Sequence, residues 1–204
     1  MANSCLVLGL VSSILGLTCV VIALASSQWL KVRAPFFQND VGLMRHCDVT
    51  SPYCGDMENL NALVNHDYAG WFRTVQAMYL LHCLGLLISA VAYLLYLIRF
   101  LEVKGSFRAL AMLNFIALVA GVFSVTMFGV QMEEFFGVAN PSLPDGVASL
   151  GYAFYMAILG CCLSFVVLML SAMEAIHAID LIRDMQNRFT VWTTPYTLFV
   201  EEEP

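Results

Sequence analysis

Four stretches of this chain, 1–30, 74–98, 109–132 and 146–173, contain no Asp, Glu, Lys or Arg. A helix needs about 20 predominantly apolar residues to cross the hydrocarbon core of a bilayer, and each stretch is long enough to do so. Charged residues make up 12% of the chain, against roughly 25% in a soluble domain. Lipid is therefore the solvent. The sequence predicts an all-α membrane protein with transmembrane helices over about residues 5–27, 74–98, 109–132 and 150–173.

The first stretch has one competing reading, since Ala23-Leu24-Ala25 has the small-x-small form of a signal-peptidase site. No Lys or Arg precedes the apolar run, and the run is longer than a signal core, so it reads as a retained span. Ser12 and Gly16 lie one turn apart within it, a spacing that lets helices approach closely. His82 and Asn114 fall inside the second and third spans and need hydrogen-bond partners there; bonds between helices are the expected solution. No span holds a carboxylate or cation to relay protons or bind an ion, which argues against a pump or secondary transporter.

The polar island at 28–72 carries turn formers (Pro35, Asn39-Asp40, Ser51-Pro52, Gly55-Asp56) between β-prone runs. Two such runs, 29–33 and 41–46, predict a small antiparallel sheet with a turn near Gln38-Asn39-Asp40. Five of the seven cysteines lie in apolar spans, where a thiol behaves as a small hydrophobe. Cys47 and Cys54 lie in the island. In an oxidising compartment they would close a local disulfide loop. A metal site with His46 and His66 is the alternative, but the spacing matches no regular zinc pattern. The disulfide reading makes 28–72 and 133–148 extracellular and places both termini in the cytoplasm. That agrees with the short turn at 99–108, where Arg99, Lys104 and Arg108 face a lone Glu102, because short basic loops stay cytoplasmic.

The second outer segment is acidic and apolar at Glu133-Glu134-Phe135-Phe136 and then turns at Asn140-Pro141 and Pro144. The third helix could extend out of the bilayer to carry Phe135 and Phe136. The fourth is expected to continue as a cytosolic helix to about Asp184, followed by an extended tail over 189–204. Tyr196-Thr197-Leu198-Phe199 in that tail fits a Tyr-x-x-apolar sorting signal for an endocytic adaptor, which would bind it by strand addition. The final Glu-Glu-Glu-Pro lacks the apolar last residue that a PDZ groove captures.

Catalysis has little to stand on. His66-Asp67 could orient a base, but no motif ties a Ser or Cys to it, and neither Gly-x-Ser-x-Gly nor a metal-ligand helix occurs. No cofactor motif is seen either. A net charge of -6 with no basic cluster gives no support for nucleic-acid binding.

Trp29 just past the first span, then Gly42-Leu43-Met44, Cys47 and Cys54, resemble the W...GLW..C...C signature of the claudin superfamily. That group also holds peripheral myelin and epithelial membrane proteins and channel gamma subunits. Arg73 at the start of the second helix and the aromatic-rich Gly151-Tyr152-Ala153-Phe154-Tyr155 extend the likeness. The chain departs from the signature at Met44, where the family carries a second Trp, and in a shorter spacing between the cysteines. The resemblance implies a left-handed four-helix bundle carrying a small extracellular antiparallel β-sheet with a disulfide pinning two strands. In that frame Trp29 sits at the lipid-water boundary and Leu43 and Met44 cap the bundle.

For function the resemblance implies a multi-pass plasma-membrane protein, with cell junctions as a possible site. It would work by self-association and extracellular contact in cell adhesion or junction organisation, with a paracellular barrier or pore as one form. The alternative it offers is an auxiliary subunit of a channel or receptor. Phe36, Phe37, Phe135 and Phe136 are the candidate partner contacts, and Tyr196 and Phe199 the candidate sorting residues.

Overall fold

The computed structural model describes residues 2–34, 37–49, 54–56, 69–98, 106–139 and 148–193. Among them are four helices: α1 (Ala2–Ala25), α2 (Ala69–Leu97), α3 (Ser106–Ala139) and α4 (Tyr152–Thr193). Each contains a segment long and apolar enough to span a membrane: Ser4–Ala25, Gly70–Leu97, Phe107–Gln131 and Tyr152–His177. In lipid a helix satisfies its own backbone polar groups, so these spans need no outside partner for their N–H and C=O groups.

The helices close a ring in which α1 packs on α2 and α4, and α3 packs on the same two. Their outward faces are apolar, with Ile14 on α1, Ile88 on α2, Phe115 on α3 and Leu159 on α4 all exposed as lipid requires. Small residues let the backbones approach. Gly16 faces Leu163 of α4 and Leu86 of α2, and Gly85 faces Ala117 of α3.

Several polar side chains inside the ring pair between helices. His82 on α2 lies 3.0 Å from Ser164 Oγ on α4. Asn114 on α3 accepts from Ser89 on α2 and donates to Ser171 on α4 at 3.4 Å. Such bonds in membranes contribute modestly, about 0.6 kcal/mol each on average. They fix which faces meet more than they set stability.

A five-stranded antiparallel sheet sits at one end of the bundle, in the order β4-β3-β2-β1-β5. Its strands are β1 (Leu30–Ala34), β2 (Phe37–Val41), β3 (Arg45–Asp48), β4 (Cys54–Asp56) and β5 (Ala148–Leu150). The core beneath it joins Leu30, Val32, Val41 and Leu43 to the end of α1, the start of α2, the end of α3 and the start of α4. A second core at the opposite end gathers Tyr93, Tyr96, Phe107, Leu110, Val167 and Ala175.

Several expectations need correction. Gln38-Asn39-Asp40 is not a turn but the middle of β2, which pairs antiparallel with β1 in a register that sets Ala34 opposite Phe37. Asp40 finds donors in Arg33 of β1 and in Gln28 just before it. The run 41–46 is not one strand either: it bends at 42–44, where Gly42 N donates to Arg45 O at 2.9 Å. Leu150 belongs to β5, opposite Leu30, and α4 starts at Tyr152. The third helix does extend past its apolar span, as the sequence suggested, and residues 133–139, with Phe135 and Phe136, belong to α3. The extended tail does not begin at 189, because α4 runs on to Thr193. Nothing breaks that helix until Pro195, which disfavours helical geometry in the residue before it.

Candidate interaction surface

The sheet is positioned by one side chain. Helix α1 ends at Ala25, so the carbonyls of its last turn have no intrahelical donors. Trp29 turns back and its Nε1–H donates to Ala23 O at 2.6 Å. The indole is fully buried, with Tyr79 of α2, Phe128 of α3 and Phe154 of α4 packed edge-on around it at ring centroid distances of 5.2, 4.9 and 6.0 Å. All four helices therefore meet at Trp29. Its backbone also belongs to the sheet, since Trp29 N donates to Val41 O at 3.0 Å and Gly151 N donates to Trp29 O at 2.8 Å.

The second anchor is the bend after β2. Leu43 is fully buried in the core under the sheet, and Gln76 Nε2 of α2 donates to Leu43 O at 2.5 Å. Met44 beside it is half-buried. Gly42 lies against Ser26 O and Ser27 Cα, and Gly151 against Gln28 O, so both glycines sit where backbones touch. Arg73 is exposed on the second turn of α2 and takes no part in this junction.

Strand alternation then sorts the two faces. Leu30, Val32, Asn39 and Val41 are buried toward the bundle. Lys31, Arg33, Gln38 and Asp40 share the opposite face, where Arg33 pairs with Asp40 at 2.7 Å and Gln28 Nε2 donates to the same carboxylate at 3.0 Å. Arg33 is exposed while Asp40 is nearly buried, so solvent still screens the pair from one side and it contributes on the order of 1 kcal/mol. Its larger effect is to hold the charged face in one arrangement.

Cys47 and Cys54 stand opposite each other in β3 and β4 and are disulfide-bonded. That removes the sulfurs as metal ligands. Among the described residues no group of three His, Cys, Asp or Glu could hold a metal; His66 lies outside them. Non-reducing peptide mapping should recover Cys47 joined to Cys54. Replacing both by Ala should lower stability by about 2.5 kcal/mol on the loop-entropy model. Each single replacement should cost at least as much, which thermal midpoints in detergent would rank.

Of the candidate partner contacts, Phe37 lies in β2 and Phe135 and Phe136 in the last turns of α3, placed by backbone alone. Phe36, Tyr196 and Phe199 lie outside the described residues. Sequence reasoning did not find the cage of Tyr79, Phe128 and Phe154, nor Gln76. These residues are scattered through three helices and become a set only once the helices are packed.

Residues 1–179 match a family model described as tight junction protein, claudin-like. A search of curated proteins gave no match. The matched region holds all four spans, the sheet and the paired cysteines, and the chain belongs to the claudin-like family of tight junction proteins.

Proposed function

We propose that this protein acts without catalysis, through lateral and extracellular contacts between copies or with related membrane proteins, in cell adhesion or junction organisation. The observation that carries this reading is the cationic pair Lys31 and Arg33, the latter held by the nearly buried Asp40, on a sheet that is locked to four spans through Trp29 and Leu43. A contact surface fixed on a rigid base loses little entropy on docking. In this reading the sheet lies outside the cell, both termini lie in the cytoplasm, and the protein resides in the plasma membrane at cell contacts. The outer segments carry more acidic than basic side chains, which would favour cations over anions if assembled copies enclose a pore.

Expression in cells that lack junctions tests the proposal. The protein should concentrate at contacts between expressing cells and form intramembrane strands visible by freeze-fracture. A diffuse distribution without strands overturns it. Stoichiometric copurification of a channel or receptor under those conditions would assign the protein instead to an auxiliary-subunit role.

A further inference from the structure

The disulfide fastens the edge strand at the opposite end of the sheet from β5. The bonds that seat the sheet on the helices lie elsewhere, at Trp29 N to Val41 O, Gly151 N to Trp29 O and Gln76 Nε2 to Leu43 O. β3 is fixed to β2 in its own right: Asn39, Asp40 and Val41 stand opposite Asp48, Cys47 and His46, and Val49 N donates to Gln38 O at 2.9 Å. β4 has three residues, and among the described residues it pairs with β3 alone. A ladder that short is marginal in water. The Cys47–Cys54 bond is therefore the main hold on β4.

That bond can be reached from outside. Cys54 is exposed and Cys47 half-buried. The register sets Ser149, Lys31, Asp40, Cys47 and Cys54 in one row across the outer face. Arg45, also exposed, lies two residues before Cys47 and so shares that face. Thiolates, the species that cleave disulfides, are anions and need access to a sulfur. Cys54 gives the access, and Lys31, Arg33 and Arg45 draw anions to this face. The Asp40 carboxylate on the same face is already paired with Arg33 at 2.7 Å. The bridge joins cysteines only seven positions apart, so it removes less chain entropy than a bridge closing a long loop, and less of the fold depends on it.

We propose that this disulfide is a reversible latch on β4, opened by small anionic thiols. A thiolate attacks Cys54 Sγ and the S–S bond breaks. A mixed disulfide forms at Cys54, and Cys47 leaves as a thiolate that takes a proton from water. A second thiolate then attacks the reagent's sulfur in the mixed disulfide. Cys54 is freed and protonated, and the two reagent sulfurs are joined, having supplied the two electrons that reduced the protein. β4 comes away and an edge of β3 is left unpaired beside Arg45, where a further strand can add. The bundle, β1, β2 and β5 stay, because the contacts that seat them do not run through β4. This latch needs the fold alone and stands or falls separately from the junction reading.

The test uses the full chain in phosphatidylcholine nanodiscs, equilibrated with graded mixtures of reduced and oxidised glutathione. Alkylation and peptide mapping count the free thiols at Cys47 and Cys54, and hydrogen exchange reads the strands. The bridge should open and reclose with the glutathione ratio while the nanodisc sample keeps its helical circular dichroism. On opening, exchange in 54–56 should quicken at least about ten-fold, and exchange in 30–32 and 38–41 should not change. Arg45→Gln should slow reduction by glutathione about three-fold and leave the rate with neutral 2-mercaptoethanol unchanged. A bridge that glutathione reduces only as the bundle unfolds, exchange in 54–56 unaltered by reduction, or an Arg45→Gln rate with glutathione equal to the parent's overturns the proposal.

Discussion

Replacing Trp29 by Ala should leave little folded protein at the cell surface. Removing a buried aromatic of this size costs about 3–5 kcal/mol through lost burial and the cavity left behind. The cavity would open between Tyr79, Phe128 and Phe154, which come from three different helices and cannot collapse onto one another without shifting those helices. The same substitution strips Ala23 O of its donor in a dry setting, worth about 1–3 kcal/mol more. Together these approach the whole stability of an ordinary domain, about 5–15 kcal/mol. Trp29→Phe separates the two effects, since it keeps most of the ring and loses the Nε1–H. It should reach the surface in reduced amount, with a thermal midpoint between those of the parent and Trp29→Ala. Surface labelling and size-exclusion after heating would order the three. A Trp29→Ala protein with parental surface level and midpoint would show that the four helices do not depend on this ring.

The spans were legible because lipid imposes a length and a composition that sequence displays directly. Charge-free stretches at 74–98 and 109–132 mark α2 and α3 with little ambiguity. Their ends were less visible, because outside the bilayer a helix stops for local reasons. Phe189-Thr190-Val191-Trp192-Thr193 is β-prone by residue type yet stays helical, since α4 is already propagating and meets no breaker before Pro195. Strand β5 is only Ala148-Ser149-Leu150, too short for any alternation to register, and it exists because β1 offers it a partner. Asp40 misled for a chemical reason. Asp favours turns by residue type, but here Arg33 and Gln28 supply donors across the strands and keep it in β2. The candidate surface was legible in its frame, Trp29, Gly42, Leu43 and the two cysteines, but not in the side chains that hold that frame to the helices. Gln76 illustrates this, since nothing near it in sequence points to Leu43 O, 33 positions away.

Gly42→Ala should separate the sheet from the bundle even though it adds only one methyl group. A Cβ at Gly42 would fall inside contact distance of Ser26 O and close to Ser27 Cα, both backbone atoms at the exit from α1. Backbone cannot swing aside as a side-chain tip can, so the bend at 42–44 must move away. That motion strains the Gly42 N to Arg45 O bond, the seating of Leu43 in the core and the Gln76 bond to Leu43 O at once. Overpacking of this kind costs about 1–3 kcal/mol, more where several contacts shift together. Gly151→Ala meets Gln28 O in the same way and should behave alike, because it would push the start of α4 from the end of α1. Gly70→Ala is the control: among the described residues, and apart from its chain neighbours and its own helix backbone, no atom lies within 4 Å of the added Cβ, and in a helix the change should be neutral or stabilise by about 0.5–1 kcal/mol. Thermal midpoints of the three variants decide the matter. If Gly42→Ala and Gly151→Ala match Gly70→Ala, the sheet is not held by close backbone contact at these two points, and Trp29 with the buried Leu43 and its Gln76 bond must carry the junction.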